Sequence, residues 1–359
     1  MKPTGNDATT WRRIASDAPL RLALMRRAET LRAIREWFWE RGFIEVDAPI
    51  LAPWVGMEPH LIPLRTTVHD ERGRGMRLYH QTSPEYALKK LLAAGVPDCF
   101  SLAHVFRDGE VSELHNPEFT LLEWYRRDAD YTAIMRDTER LVADLATRFL
   151  AKPELTRERG RIDLAPPWDR VTVAEAMKRW ADLDIVSHPD DESFRTHARS
   201  RGHDWVTEES WEDLFFKLFL TCVEPKLGFP RPVILYEYPM RFAALARRHR
   251  ERPHLAERFE VYIAGIELCN AFTELTDAVE QRERLEREQA ERRRLGRDTL
   301  AIDEDFLDAL AELPPCAGNA LGVDRLVMLL TGERTIDRVT WFPHGVLAAW
   351  TERHPRRQR

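Results

Sequence analysis

The stretch Val105 to Tyr125 gathers side chains that can handle a nucleotide and an amine. Arg107 carries a guanidinium that can fork onto phosphate oxygens. Phe119 offers a ring that can stack on a base, Glu123 a carboxylate that can hold an ammonium, and Tyr125 a phenol. In an extended chain, alternation puts Phe119, Leu121, Glu123 and Tyr125 on one face, with Arg107 at its near lip. That placement needs a strand, a polar loop and a second strand. Cys99 to Phe106 is apolar and aromatic and suits a buried strand. Asp108-Gly109 supplies turn chemistry, and Phe119 to Tyr125 forms the return strand. Taken alone, such a stretch also fits an ordinary hairpin with a solvated loop.

Three other stretches carry candidate chemistry. Tyr79 to Thr82 reads as a short strand, and Ser83-Pro84-Glu85 as a helix start with Ser83 as N-cap, Pro84 in the first turn and an acid behind it. Gly95 then stops the helix. Phe259 to Glu274 reads as a hairpin around Ala264-Gly265, with Glu267 and Glu274 on its second strand. Strict alternation places these two acids on opposite faces, so they converge only if a bulge intervenes; otherwise they are solvated. Pro314 to Leu330 runs from small residues, which let a backbone approach a ligand closely, into an apolar helix with Arg325 in its first turn.

The supporting elements follow. Leu20 to Arg41 reads as a helix with a stripe of Leu24, Ala28, Leu31, Ile34 and Phe38, closed by Gly42 and followed by a strand, Phe43 to Val46. Residues 126–228 read as a largely helical insertion, and Asp277 to Arg297 as a solvated helix rich in i,i+4 pairs. The 359 residues can bury a sizeable core, with 43% hydrophobic and 32% charged residues. A net charge of −6 gives no support to a large nucleic-acid footprint. No apolar run approaches the ~20 residues that span a membrane, and Met1 to Asp17 lacks an apolar signal core. Four scattered cysteines argue against a disulfide framework or zinc site and for a reducing, cytoplasmic setting.

The string Phe-Arg, loop, His-Asn-Pro-Glu-Phe-Thr resembles the second signature motif of class II aminoacyl-tRNA synthetases, in its lysine-branch form. Helix, Gly-Phe-Ile-Glu-Val and Pro49 resemble the first motif, and Gly322-Val323-Asp324-Arg325 with its small-residue approach resembles the third. The resemblance implies an α+β fold: a mostly antiparallel sheet flanked by helices, in a homodimer. It implies that Arg107 grips the ATP α-phosphate, Arg325 the γ-phosphate, Asn116 the nucleotide and Phe119 the adenine. Asp108, Gly109, Leu268 and Gly322 fall on the ATP-binding segments, and Glu267 and Glu274 are implied to hold Mg²⁺. The family usually has an acid where this chain has Gly109, flanked by Asp108 and Glu110. Ser83, Pro84 and Glu85 are implied to line an amino-acid pocket, with Glu123, Tyr125, Glu274 and Ala320. There Glu85 takes the amino group near the carboxylate, while Glu123 and Tyr125 take the distal ammonium.

The expected organisation is a tail over residues 1–18, a catalytic domain over 19–345 and a tail over 346–359. The first motif begins almost at the N-terminus, leaving no room for an anticodon-binding barrel. Lysyl-tRNA synthetases typically carry glycine where this chain has Ala320. Both features resemble the ligase family that activates lysine, preferably (R)-β-lysine, with ATP and transfers it to a lysine of elongation factor P, without stable tRNA binding. Two other readings stay open: a free-standing enzyme that charges tRNA or a small acceptor, and a non-catalytic regulator that binds ATP or an amino acid.

Overall fold

The computed structural model describes residues 10–204 and 210–353. They fall into two compact units, one formed by the chain up to Asp128 with the chain from Thr276 onward, the other by Ala129–Leu275.

In the first unit the helix Ala18–Trp39 is launched by Asp17, whose side chain accepts from the Leu20 amide at 2.9 Å, with proline in the first turn. Residues 10–16, inside the expected tail, form a short helix of their own; residues 1–9 lie outside the described residues. The buried stripe of the long helix differs from the expected one. Leu24, Ile34 and Phe38 are buried, but Ala28 is exposed and Leu31 half-buried. Arg27 takes a buried position instead, because Asp324 pairs with it and Thr120 Oγ1 accepts from it at 2.8 Å. The helix ends at Trp39, and Gly42, at φ +80°, turns the chain into the core at Phe43. Phe38 stacks on Phe100 at 4.7 Å and abuts Phe43 and Trp124, so the helix is nailed to the strands by aromatic rings.

Strand Ile44–Glu45 runs parallel to Cys99–Phe106, which pairs antiparallel with Glu118–Arg127, which pairs antiparallel with Cys316–Gly322. A separate small antiparallel sheet is built from Leu51–Ala52, Gly75–His80 and Arg65–His69. The helix Glu85–Ala93 begins one residue later than expected, with Pro84 in the cap position; the Ser83 hydroxyl still accepts from the Glu85 amide at 3.0 Å. Helix Ala278–Arg294 is less solvated than expected. It buries Gln281, Arg284, Leu285 and Arg292, and Arg292 donates to the carbonyls of Glu58, Leu61 and Asp298.

In the second unit Asp169–Thr172 runs parallel to Val233–Pro239, followed by antiparallel Leu255–Ile263 and Ile266–Thr273. Its core packs Trp211, Phe215 and Phe219 against Leu235, Phe242 and Tyr262. The expected helical insertion holds the helices Tyr131–Leu150, Val173–Ala181, Asp191–Ser200 and Trp211–Leu218, but also the strands Glu154–Arg157, Gly160–Asp163 and Asp169–Thr172. Strand pairing in both units is mostly antiparallel, and the α+β reading is borne out.

Candidate active site

The register of three strands in the first unit sets the floor of the site. Glu123 pairs with Ser101 on one side and Ala320 on the other; Tyr125 lies between Cys99 and Gly318, and Leu121 between Ala103 and Gly322. Cross-strand partners share a face and stand about 5 Å apart at Cβ. Gly318 therefore places no side chain beside Tyr125, and Ala320 places only a methyl beside Glu123.

Glu123 is 1% exposed and tied on both oxygens. The Ser83 hydroxyl donates to Oε1 at 2.5 Å, and the Tyr125 phenol donates to Oε2 at 3.3 Å. Ser83 also accepts from the Glu85 backbone amide, so one hydroxyl ties the Glu123 carboxylate to the start of the helix that carries Glu85. Glu85 in turn accepts from Lys89, one helical turn on and fully buried. Burial first, and then the charge of Glu85, push the Glu123 carboxyl up to about 8.

At the other end of the same strand the Arg107 guanidinium sits 5.0 Å from the Phe119 ring centroid and donates to the Thr82 carbonyl at 3.4 Å. Of the two acids flanking Gly109, Glu110 approaches Arg107, at 3.9 Å. Asp108 is exposed and accepts from the Gly109 amide. Gly109 itself adopts φ +80°, which a side chain would strain. Asn116 is 3% exposed, and its Nδ2 has no hydrogen-bond partner among the described residues.

Arg325 donates to His115 Nε2 at 2.6 Å, and His115 Nδ1 lies 2.8 Å from Ser112 Oγ. With Nε2 accepting, Nδ1 bears the proton and donates to the serine. Burial and the Arg325 charge hold the imidazole below its ordinary pKa, so it stays neutral. Asp324, the neighbour of Arg325, is 2% exposed; it pairs with Arg27 and accepts from the Thr120 amide at 3.1 Å. The three stretches that carry the motif resemblance thus meet at one buried carboxylate.

Glu267, Leu268 and Glu274 belong to the second unit. Val261 pairs with Cys269 and Tyr262 with Glu267, which leaves Leu268 as an extra, buried residue. This is the bulge that strict alternation lacked. It returns Glu267 to the face of Tyr262, Glu260, Asn270 and Arg258, and by continued alternation Glu274 falls on that face as well. Glu260 accepts from Arg258 at 2.7 Å and from the Tyr262 phenol at 2.7 Å, and Arg258 donates to Asn270. The donor set is hard oxygen, which suits Mg²⁺ held by one or two carboxylates together with substrate phosphates.

Residues not singled out from sequence are Lys89, His115 and Glu260, together with Glu58 and Glu288, which interact electrostatically with Glu85. Lys89 carried a readable signal, the i,i+4 spacing from Glu85. Glu58 and Glu288 carried none, because they come from a loop and from a helix that reads as solvated.

The family model described as tRNA synthetases class II (D, K and N) matches residues 10–345. The chain is 38% identical over 324 residues to the elongation factor P–(R)-β-lysine ligase of Proteus mirabilis, covering 89% of this chain and 94% of that one. It is 38% identical over 341 residues to the ligase of the same name from Salmonella paratyphi B, covering 94% and 98%. It is also 37% identical over 318 residues to the lysine–tRNA ligase of Moorella thermoacetica, covering 88% of this chain but only 64% of that one.

Proposed function

The chain belongs to the class II tRNA synthetases of the D, K and N type, and on that premise we propose that it is an ATP-dependent ligase acting on elongation factor P. It activates (R)-β-lysine or lysine as an aminoacyl-adenylate and transfers the acyl group to the ε-amino group of a lysine on that protein. The observation that carries the amino-acid half is the pair of acids Glu85 and Glu123: the Ser83 hydroxyl donates to Glu123 and caps the backbone of the helix start that bears Glu85, an arrangement that suits a diamino acid. The acceptor is supported by the two ligases of that name, each matched over more than nine tenths of its length.

In the first step a substrate carboxylate oxygen attacks the α-phosphorus of ATP and pyrophosphate leaves. Arg107 balances charge at the α-phosphate, Phe119 stacks on adenine, and Arg325, aimed by His115, meets the γ-phosphate. Preorganised charge of this kind is usually the largest catalytic contribution, and in-line positioning adds to it. Bound Mg²⁺ supplies further charge neutralisation; Glu267 and Glu274 are the proposed ligands, with Glu260 on the same face. In the second step the acceptor amine attacks the acyl carbon and AMP leaves. No side-chain nucleophile is needed.

Exposed Leu22, Met25, Trp39, Ile44 and Ile50, on and after the first long helix, support a homodimer through that surface. Among the described residues no helix is long and apolar enough to cross a membrane, and the four cysteines are free; both agree with the proposed cytoplasmic setting. The similarity to a lysine–tRNA ligase supports a second reading, in which tRNA is the acceptor. Lysine-dependent ATP–pyrophosphate exchange tests the activation step common to both, and the fate of the labelled acyl group separates them.

A further inference from the structure

Lys89 is 1% exposed, and its ammonium donates to Oε1 of Glu85 from one turn further along the helix Glu85–Ala93. The rotation of this helix is fixed by Tyr86, whose ring stacks on Phe306 at 4.0 Å and 4°, and the Lys89 ammonium lies 6.0 Å from the same Phe306 ring. A fully buried ammonium is costly unless it is paired. The surroundings explain why one is kept here. Glu85 interacts electrostatically with Glu123 on the strand Glu118–Arg127, Glu58 on the preceding loop and Glu288 on the helix Ala278–Arg294; Arg107 and Arg292 act on Glu58, and Arg284 and Arg287 on Glu288. Glu58 Oε2 is buried with no hydrogen-bond partner among the described residues. Burial and mutual repulsion already push Glu123 and Glu288 up to about 8. Like-charged carboxylates sharing one site cannot all ionise.

We propose that Lys89 is a positioning residue for substrate recognition: it fixes the Glu85 side chain so that it is aimed at the amine beside the substrate's own carboxylate. The inference rests on the amino-acid reading given above and deepens it. Without the Lys89 charge the Glu85 side chain is no longer fixed in place, and an ammonium is held less well by a carboxylate that is not aimed at it. Repulsion between Lys89 and the incoming ammonium acts in the other direction. The fixed aim that Lys89 gives Glu85 is the larger effect in this proposal.

The test uses the full-length protein in ATP–pyrophosphate exchange, with whichever lysine isomer supports exchange in the wild type. 6-Aminohexanoate serves as competitor: it keeps the carboxylate and the distal ammonium but lacks the other amine. Lys89→Met should raise KM for the lysine by about tenfold or more, leave kcat within about threefold, and leave the Ki of 6-aminohexanoate within about twofold. Lys89→Gln, which retains a hydrogen-bond donor without the charge, should show the same selective loss and replaces the methionine variant if that one does not fold. A lysine KM that is unchanged or lower overturns the proposal. So does an equal rise in KM and Ki, because a merely structural role would weaken both ligands alike. If the wild type itself shows no lysine-dependent exchange, it is the functional reading that fails rather than the role of Lys89.

Discussion

Ala320 and Glu123 are direct partners across two antiparallel strands, so the alanine methyl stands on the same face as the buried carboxylate that would hold the distal ammonium. A methyl at this point trims the pocket by about one carbon beside a fixed carboxyl group. Ala320→Gly should shift preference away from (R)-β-lysine and toward α-lysine, changing the ratio of their kcat/KM values by about tenfold or more, the usual worth of one carbon in a shaped pocket. A ratio that does not move would mean that the methyl does not shape the pocket.

Glu123 predicts a pH dependence with a definite sign. Its carboxyl is pushed up to about 8, chiefly by burial and next by Glu85, so the empty site holds a proton there at neutral pH. An ammonium must displace that proton, and kcat/KM for the lysine should rise with pH up to about 8. Glu123→Gln should flatten this rise and weaken lysine far more than ATP. The same shift bears on stability. Unfolded glutamate titrates near 4.3, so between about 4.3 and 8 the native state binds more protons than the unfolded state at this group, and its contribution to stability falls as pH rises. Melting curves should therefore show Glu123→Gln gaining on the wild type as pH is raised through this window; a gap that stays constant contradicts the assignment.

The ion pair between Arg27 and Asp324 is buried on both sides. Removing one partner of such a pair typically costs about 3–5 kcal/mol. Arg27→Met should lower the denaturation midpoint accordingly, while replacing both residues by apolar ones should recover much of the loss. Equal stability of Arg27→Met and wild type, by chemical denaturation, would sink the view that this pair anchors the three motif stretches.

Glu110, not Asp108, approaches Arg107. The contact is long and partly solvated, and such pairs are worth about 0.2–1 kcal/mol. Glu110→Gln should raise KM for ATP by up to about fivefold, and Asp108→Asn by less. The reverse order would show that Asp108 is the acid that supports Arg107 once nucleotide is bound.

Strand–loop–strand, helix starts and the hairpin at Ala264-Gly265 were legible because each rests on local chemistry: alternation, capping hydroxyls, and a glycine that accepts positive φ at Gly265; Ala264 takes φ +59° without that freedom. The face shared by Phe119, Leu121, Glu123 and Tyr125 followed from period two alone. The relation of Glu267 to Glu274 was not legible, because a one-residue bulge at Leu268 leaves no mark in composition. The burial of Arg27 was missed for a related reason: a charged residue enters a core only when a distant partner, here Asp324, is already there. Glu58, Lys89 and Glu288 gather around Glu85 through tertiary packing, and only the spacing of Lys89 from Glu85 could have been read in advance.

The most direct test of the central claim follows the labelled acyl group. The protein is incubated with ATP, Mg²⁺ and labelled (R)-β-lysine or lysine, and then offered purified elongation factor P and, separately, bulk tRNA. Pyrophosphate exchange with one or both lysines is expected, with label appearing on elongation factor P. Label on tRNA alone, or no exchange with any lysine isomer, would contradict the claim.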